Sequence, residues 1–128
     1  MTVREGMTEI TLTVGPRHTL REAATKMSER KVGSAVVNDP DGAGPGILTE
    51  RDVLRALAAG CNPDLALVGD YMSDDLIVAA PDWDLDKAAT TMIRSNFRHL
   101  IVVDSGEICG VISMRDIVRV WSNQPATA

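Results

Sequence analysis

The chain carries one segment twice, and this limits its fold more than any other feature. With residues 3–39 laid over 68–104, Val3, Met7, Pro16, Leu20, Ala23, Ala24, Thr25, Met27, Val37 and Asp39 meet identical residues. Their partners are Val68, Met72, Pro81, Leu85, Ala88, Ala89, Thr90, Met92, Val102 and Asp104. Dropping one loop residue sets 46–55 over 110–119, where Gly46, Arg51, Asp52 and Arg55 meet Gly110, Arg115, Asp116 and Arg119. Other pairs keep their type, as Ile47 does with Val111 and Thr49 with Ser113. Stacked arrays need about three copies or more to bury a continuous core. Two copies predict two half-units, 1–65 and 66–124, that bury a face against each other.

The same elements are expected in each half. Short strands fall near Ile10–Val14 and Leu76–Ala79, after a turn or short helix ending near Met7 or Met72. Pro16 and Pro81 stop them. Thr19, with Glu22 three residues on, forms a capping box for a helix whose apolar face is Leu20, Ala23, Ala24 and Met27. Asp84 caps the second copy, and Leu85, Ala88, Ala89 and Met92 repeat the face. A buried strand follows (Ala35–Asn38 or Leu100–Val103), then a turn, Asp39-Pro40-Asp41-Gly42 or Asp104-Ser105-Gly106-Glu107. A second strand, Ile47–Leu48 or Val111–Ile112, pairs back. The last helix starts at Thr49 or Ser113; Val53, Leu54, Leu57 and Ala58 give the first copy an apolar side, and Gly60 ends it. The tail from Ser122 to Ala128 is expected to fray. The order β-α-β-β-α per half places the chain in the α+β class, the two copies packing as one pseudo-two-fold module.

Composition narrows the function. Aromatic residues are 3% of 128, so the core is aliphatic and there are few platforms on which single-stranded nucleic acid could stack. A net charge of −5 without a Lys/Arg run argues against duplex binding. No apolar run approaches a membrane span, and the N-terminus lacks a signal-peptide pattern. Cys61 and Cys109 show neither metal spacing nor a disulfide framework, so a reducing cytoplasm is expected. His99, Ser113 and Asp116 make a superficial Ser/His/Asp set, but no nucleophile turn or oxyanion loop accompanies them, so no catalytic site and no metal site are expected.

Three segments, each present twice, carry a resemblance. The first is Gly46-Ile47-Leu48-Thr49-Glu50-Arg51-Asp52 and Gly110-Val111-Ile112-Ser113-Met114-Arg115-Asp116. The second is the strand ending in Asp, Val36–Asp39 and Leu100–Asp104. The third is the opening Val-x-x-x-Met-Thr/Ser at Val3–Thr8 and Val68–Ser73. Together they resemble a tandem pair of CBS domains, a Bateman module, of the stand-alone bacterial kind. The resemblance implies a non-catalytic, ligand-sensing regulatory module. Such modules bind an adenosine compound (AMP, ADP, ATP or S-adenosylmethionine) in clefts between the repeats. It needs no cofactor beyond that ligand and commonly forms a homodimer. The small-residue stripe of Ala23, Ala24, Ala88 and Ala89 would allow helices to pair closely. The alternative is a ligand-free scaffold that dimerises or docks on another protein.

The resemblance also assigns residues. Asp52 and Asp116 would accept hydrogen bonds from ribose hydroxyls, with Thr49 and Ser113 near ribose or phosphate. The spacing alone equally describes capping boxes. Arg98 and His99 would reach phosphates in the cleft of Asp52, or form a solvated pair at a strand start. Gly33 and Ser34 take their place in the other copy, so the clefts are expected to differ. Arg51 and Arg115 could add positive charge, or be ordinary exposed arginines. Thr13 and Val32 would wall the base in one cleft, Val78 and Phe97 in the other, with core packing the default for all four. Phe97 could stack on a base or plug the pocket.

Overall fold

A computed structural model describes residues 1–39, 41, 45–73 and 76–123. Pro40 and Gly42 of the expected first-copy turn, and the tail beyond Asn123, lie outside them. Two compact units form: a central unit, Ile10–Asp75, and a terminal unit, Met1–Glu9 with Leu76–Ala128.

In the central unit, β2 (Thr13–Val14) runs parallel to β3 (Ser34–Val37), and β3 pairs antiparallel with β4 (Gly46–Thr49). Helix α2 (Leu20–Arg30) starts where expected: the Thr19 hydroxyl accepts from the Glu22 amide, and the Glu22 carboxylate accepts from the Thr19 amide. Lys31, in the left-handed conformation, ends it. Leu20, Ala23 and Met27 of α2 meet Val14, Val37 and Leu48 of the sheet in a buried core. Helices α3 (Glu50–Ala58) and α4 (Val68–Tyr71) add Ala56 and Val68.

The terminal unit repeats this plan with an added edge. Its four-stranded sheet has the order β1-β7-β6-β5, made of Thr8–Glu9, Glu107–Ser113, His99–Asp104 and Val78–Ala79. Asp84 caps α5 (Leu85–Ser95), and Ser113 caps α6 (Met114–Ser122). Leu85, Ala88, Ala89 and Met92 pack with Val102, Ile112 and Ile117, and α1 (Val3–Gly6) inserts Val3. The architecture is α+β, with two sheets and six helices among the described residues.

The units are offset from the sequence repeats. The opening of the first repeat packs into the unit built from the second, where Val3 is fully buried. The opening of the second packs into the unit of the first, where Val68 is fully buried. The short strand β1 belongs to this arrangement. Two residues have no readable alternation, and only the pairing of Thr8 with Val111 and Glu9 with Gly110 makes them a strand.

Two apolar faces lie otherwise than the sequence implies. Ala23 and Ala88 are fully buried and Ala89 nearly so, within the core of their own unit, which leaves only Ala24, half-buried, of the alanine stripe at the surface. Leu54 and Leu57 instead point outward, 67% and 46% exposed, while Ala56 is buried. The cause is the Thr49 cap at the end of β4, which sets the rotation of α3 before its apolar residues are reached.

Candidate functional site

Each last helix leaves its sheet at a reciprocal pair of hydrogen bonds. The Thr49 amide donates to Asp52 Oδ2 at 2.9 Å, and the Asp52 amide donates to Thr49 Oγ1 at 3.1 Å. The Ser113 amide donates to Asp116 Oδ2 at 2.8 Å, and the Asp116 amide to Ser113 Oγ at 3.1 Å. Capping is therefore a real role of all four residues. The first amide of each helix is also engaged: Glu50 donates to the Gly33 carbonyl and Met114 to that of Arg98. The amides of Arg51 and Arg115 are left without a hydrogen-bond partner among the described residues, as helix starts leave orphan donors. An N-terminus of this kind favours negative charge.

The predicted residues gather unit by unit. In the central unit, Ser34 lies opposite Thr49 in the β3–β4 register, so Gly33 and Ser34 flank the Thr49–Asp52 cap. A cavity of about 600 Å³ beside them is lined by Val32, Gly33, Lys31, Glu50 and Val53 among others. Thr49 and Asp52 are not in its lining. In the terminal unit, His99 lies opposite Ser113, and Arg98 holds the first amide of α6 through its carbonyl. Arg51, Arg98 and Arg115 are exposed. The default of core packing fails for Thr13 and Val78. Both are exposed, because β2 and β5 are outer strands whose alternate residues, Val14 and Ala79, take the buried face. Val32 packs against the central core, and Phe97 is half-buried.

The two carboxylates differ in what holds them. Among the described residues, Asp52 Oδ1 receives only the Ser73 hydroxyl, at 3.4 Å. Asp116 is 7% exposed, and its Oδ1 lies 3.3 Å from the Arg119 guanidinium. Neither Ser73 nor Arg119 was among the expected site residues. Ser73 carried a signal, since it ends the repeated Val-x-x-x-Met-Thr/Ser opening; Arg119 carried one in its identity with Arg55. Of the Ser/His/Asp set, the Ser113 hydroxyl accepts as a cap and Asp116 is ion-paired. Among the described residues, no group of three or more His, Cys, Asp or Glu side chains is placed to hold a metal ion, and Cys61 and Cys109 are free thiols. No helix of the described residues is long and apolar enough to cross a membrane.

A twofold α+β repeat, with a carboxylate in the capped start of each last helix, defines a class of small tandem binding modules. The chain belongs to the CBS domain family, whose model matches it twice, over residues 3–59 and 68–123. CBS domain-containing protein YhcV of Bacillus subtilis is 33% identical over 126 residues, covering 97% of this chain and 89% of that protein. An uncharacterized protein of Methanopyrus kandleri is 36% identical over 111 residues, 85% of this chain. The chain spans 57%, 64% and 41% of the lengths of three archaeal relatives that it matches. Among solved structures, a CBS domain protein from Pyrobaculum aerophilum complexed with AMP has a TM-score of 0.73 and 28% identity, over 97% of this chain and 100% of that one. A conserved protein of Pyrococcus horikoshii has a TM-score of 0.79 and 28% identity, covering 99% and 96%.

Proposed function

We propose that this CBS-domain pair is a regulatory module whose central unit binds an adenosine-containing ligand, with Asp52 accepting from the ribose hydroxyls. The observation that carries this is the state of the Asp52 carboxylate. One oxygen is fixed by the Thr49 amide; among the described residues the other holds only a hydroxyl at 3.4 Å, beyond the usual O–H···O range. A ribose hydroxyl can replace that contact at little cost. The unpartnered Arg51 amide at the same helix start suits a phosphate, and Val32 offers apolar surface to a base. The Pyrobaculum aerophilum relative complexed with AMP supports the ligand class. Ligand energy that differs between two arrangements of the module is what converts binding into a signal. The module turns nothing over, works in the reducing cytoplasm, and passes its signal to a protein target.

The test is a thermal melt with AMP, ADP, ATP and S-adenosylmethionine, followed by calorimetry. A ligand at 100 times its dissociation constant adds about 2.7 kcal/mol of stability. Asp52→Ala should weaken the best ligand by roughly 1–3 kcal/mol, the worth of a hydrogen bond to a charged group. A melt that no adenosine compound shifts would overturn the reading. The exposed side chains of Leu54 and Leu57 favour a second, compatible role, homodimerisation through the outer face of α3.

A further inference from the structure

We infer that the terminal unit's carboxylate is closed to ligands, so that the chain reads one ribose and not two; this rests on the reading of Asp52 just given. Asp116 Oδ2 is fixed by the Ser113 amide at 2.8 Å. Its Oδ1 faces Arg119 Nη2 at 3.3 Å, and the same nitrogen donates to the Gly6 carbonyl at 3.3 Å. The guanidinium is thus a bridge from the end of α1 to a buried carboxylate. A ligand hydroxyl would have to displace the cation that covers the free oxygen of an acid only 7% exposed.

The backbone that Arg119 also holds lies where the copies differ in sequence. Gly6 stands where the second repeat has Tyr71. A Cβ at Gly6 would lie 3.2 Å from Val120 Cγ2 and 3.4 Å from Ile112 Cδ1, so a side chain there would need Val120 to give by a few tenths of an ångström. In the central unit the matched residues are Tyr71 and Arg55, and among the described residues no ion pair joins Arg55 to Asp52. The arginine and the acid are present in both copies; the glycine is present in one. The second carboxylate has become a structural brace.

Two measurements on the full chain test this. Calorimetry with AMP should give one site per chain, lost in Asp52→Asn and kept within about twofold in Asp116→Asn. Double-mutant denaturation cycles should show that Asp116→Asn and Arg119→Gln are coupled by at least about fivefold in the folding constant, and Asp52→Asn and Arg55→Gln are not. Two AMP sites per chain, a tenfold loss of AMP affinity in Asp116→Asn, or no coupling between Asp116 and Arg119 would overturn the inference. Coupling with no AMP, ADP, ATP or S-adenosylmethionine bound anywhere would instead overturn the ligand reading of Asp52 and leave the closure of Asp116 standing.

Discussion

Gly110 and Gly46 hold matched places in the two sheets, yet alanine should cost more at Gly110. A Cβ on Gly110 would lie 2.8 Å from the Thr8 carbonyl oxygen and 2.9 Å from Met7 Sδ. The first of these is backbone, held in the sheet by the pairing of β1 with β7, so it cannot move without opening that edge. At Gly46 the tightest neighbour is Met72 Sδ at 2.7 Å, the flexible end of a side chain, and the nearest backbone atom, the Ser73 oxygen, is at 3.2 Å. Overpacking of this kind costs about 1–3 kcal/mol. We expect Gly110→Ala near the top of that range and Gly46→Ala near the bottom. At about 3–5 °C per kcal/mol for a chain of this size, Gly110→Ala should lower Tm by roughly 8–15 °C and Gly46→Ala by about 3–5 °C. Differential scanning calorimetry and urea denaturation of both variants, each without ligand, make the comparison. A Gly110→Ala protein as stable as the parent, or less perturbed than Gly46→Ala, would refute the reasoning that fixed backbone and not soft sulfur decides the cost.

Val3→Ala and Val68→Ala should each cost roughly 2 kcal/mol in urea denaturation, from two lost methyl groups and the cavity left in a fully buried place; a surface-like loss of under about 0.5 kcal/mol would mean that the repeat openings are not core. The Glu22 carboxyl is held below the usual range because it accepts from the Thr19 amide and hydroxyl. A lowered carboxylate contributes stability above its unfolded value of about 4.3 and loses it as pH falls through the folded value. The Tm advantage of the parent over Glu22→Gln should therefore shrink in acid, and a gap that stays constant from neutral pH down would count against the cap. Light scattering should find a dimer, and Leu57→Asp should drive it toward monomer by placing a charge on the outward apolar face of α3; a monomeric parent would remove that role.

Read alone, the amino-acid sequence determined the local structure, because the signals for it are local. Capping at Thr19, Asp84, Thr49 and Ser113 is set by side chains bonding amides two or three residues away, and all four caps form. The Leu85, Ala88, Ala89 and Met92 face follows from helical spacing and is buried as a whole. The paired carboxylates were legible for the same reason, as part of a repeated segment. What holds each of them was not. Arg119 sits one helical turn from Asp116, but the Gly6 carbonyl that the same guanidinium also holds is more than a hundred residues away. The tertiary structure alone decided which repeat opening completes which core. Met7 lies over Gly110 and Met72 over Gly46, each methionine covering the glycine of the other repeat. The sequence offers both openings the same Val and Met, so either would satisfy the same local rules. Where each one packs is settled by the reach of the chain and by the buried places that Val3 and Val68 fill, which are properties of the folded units and not of any stretch of sequence.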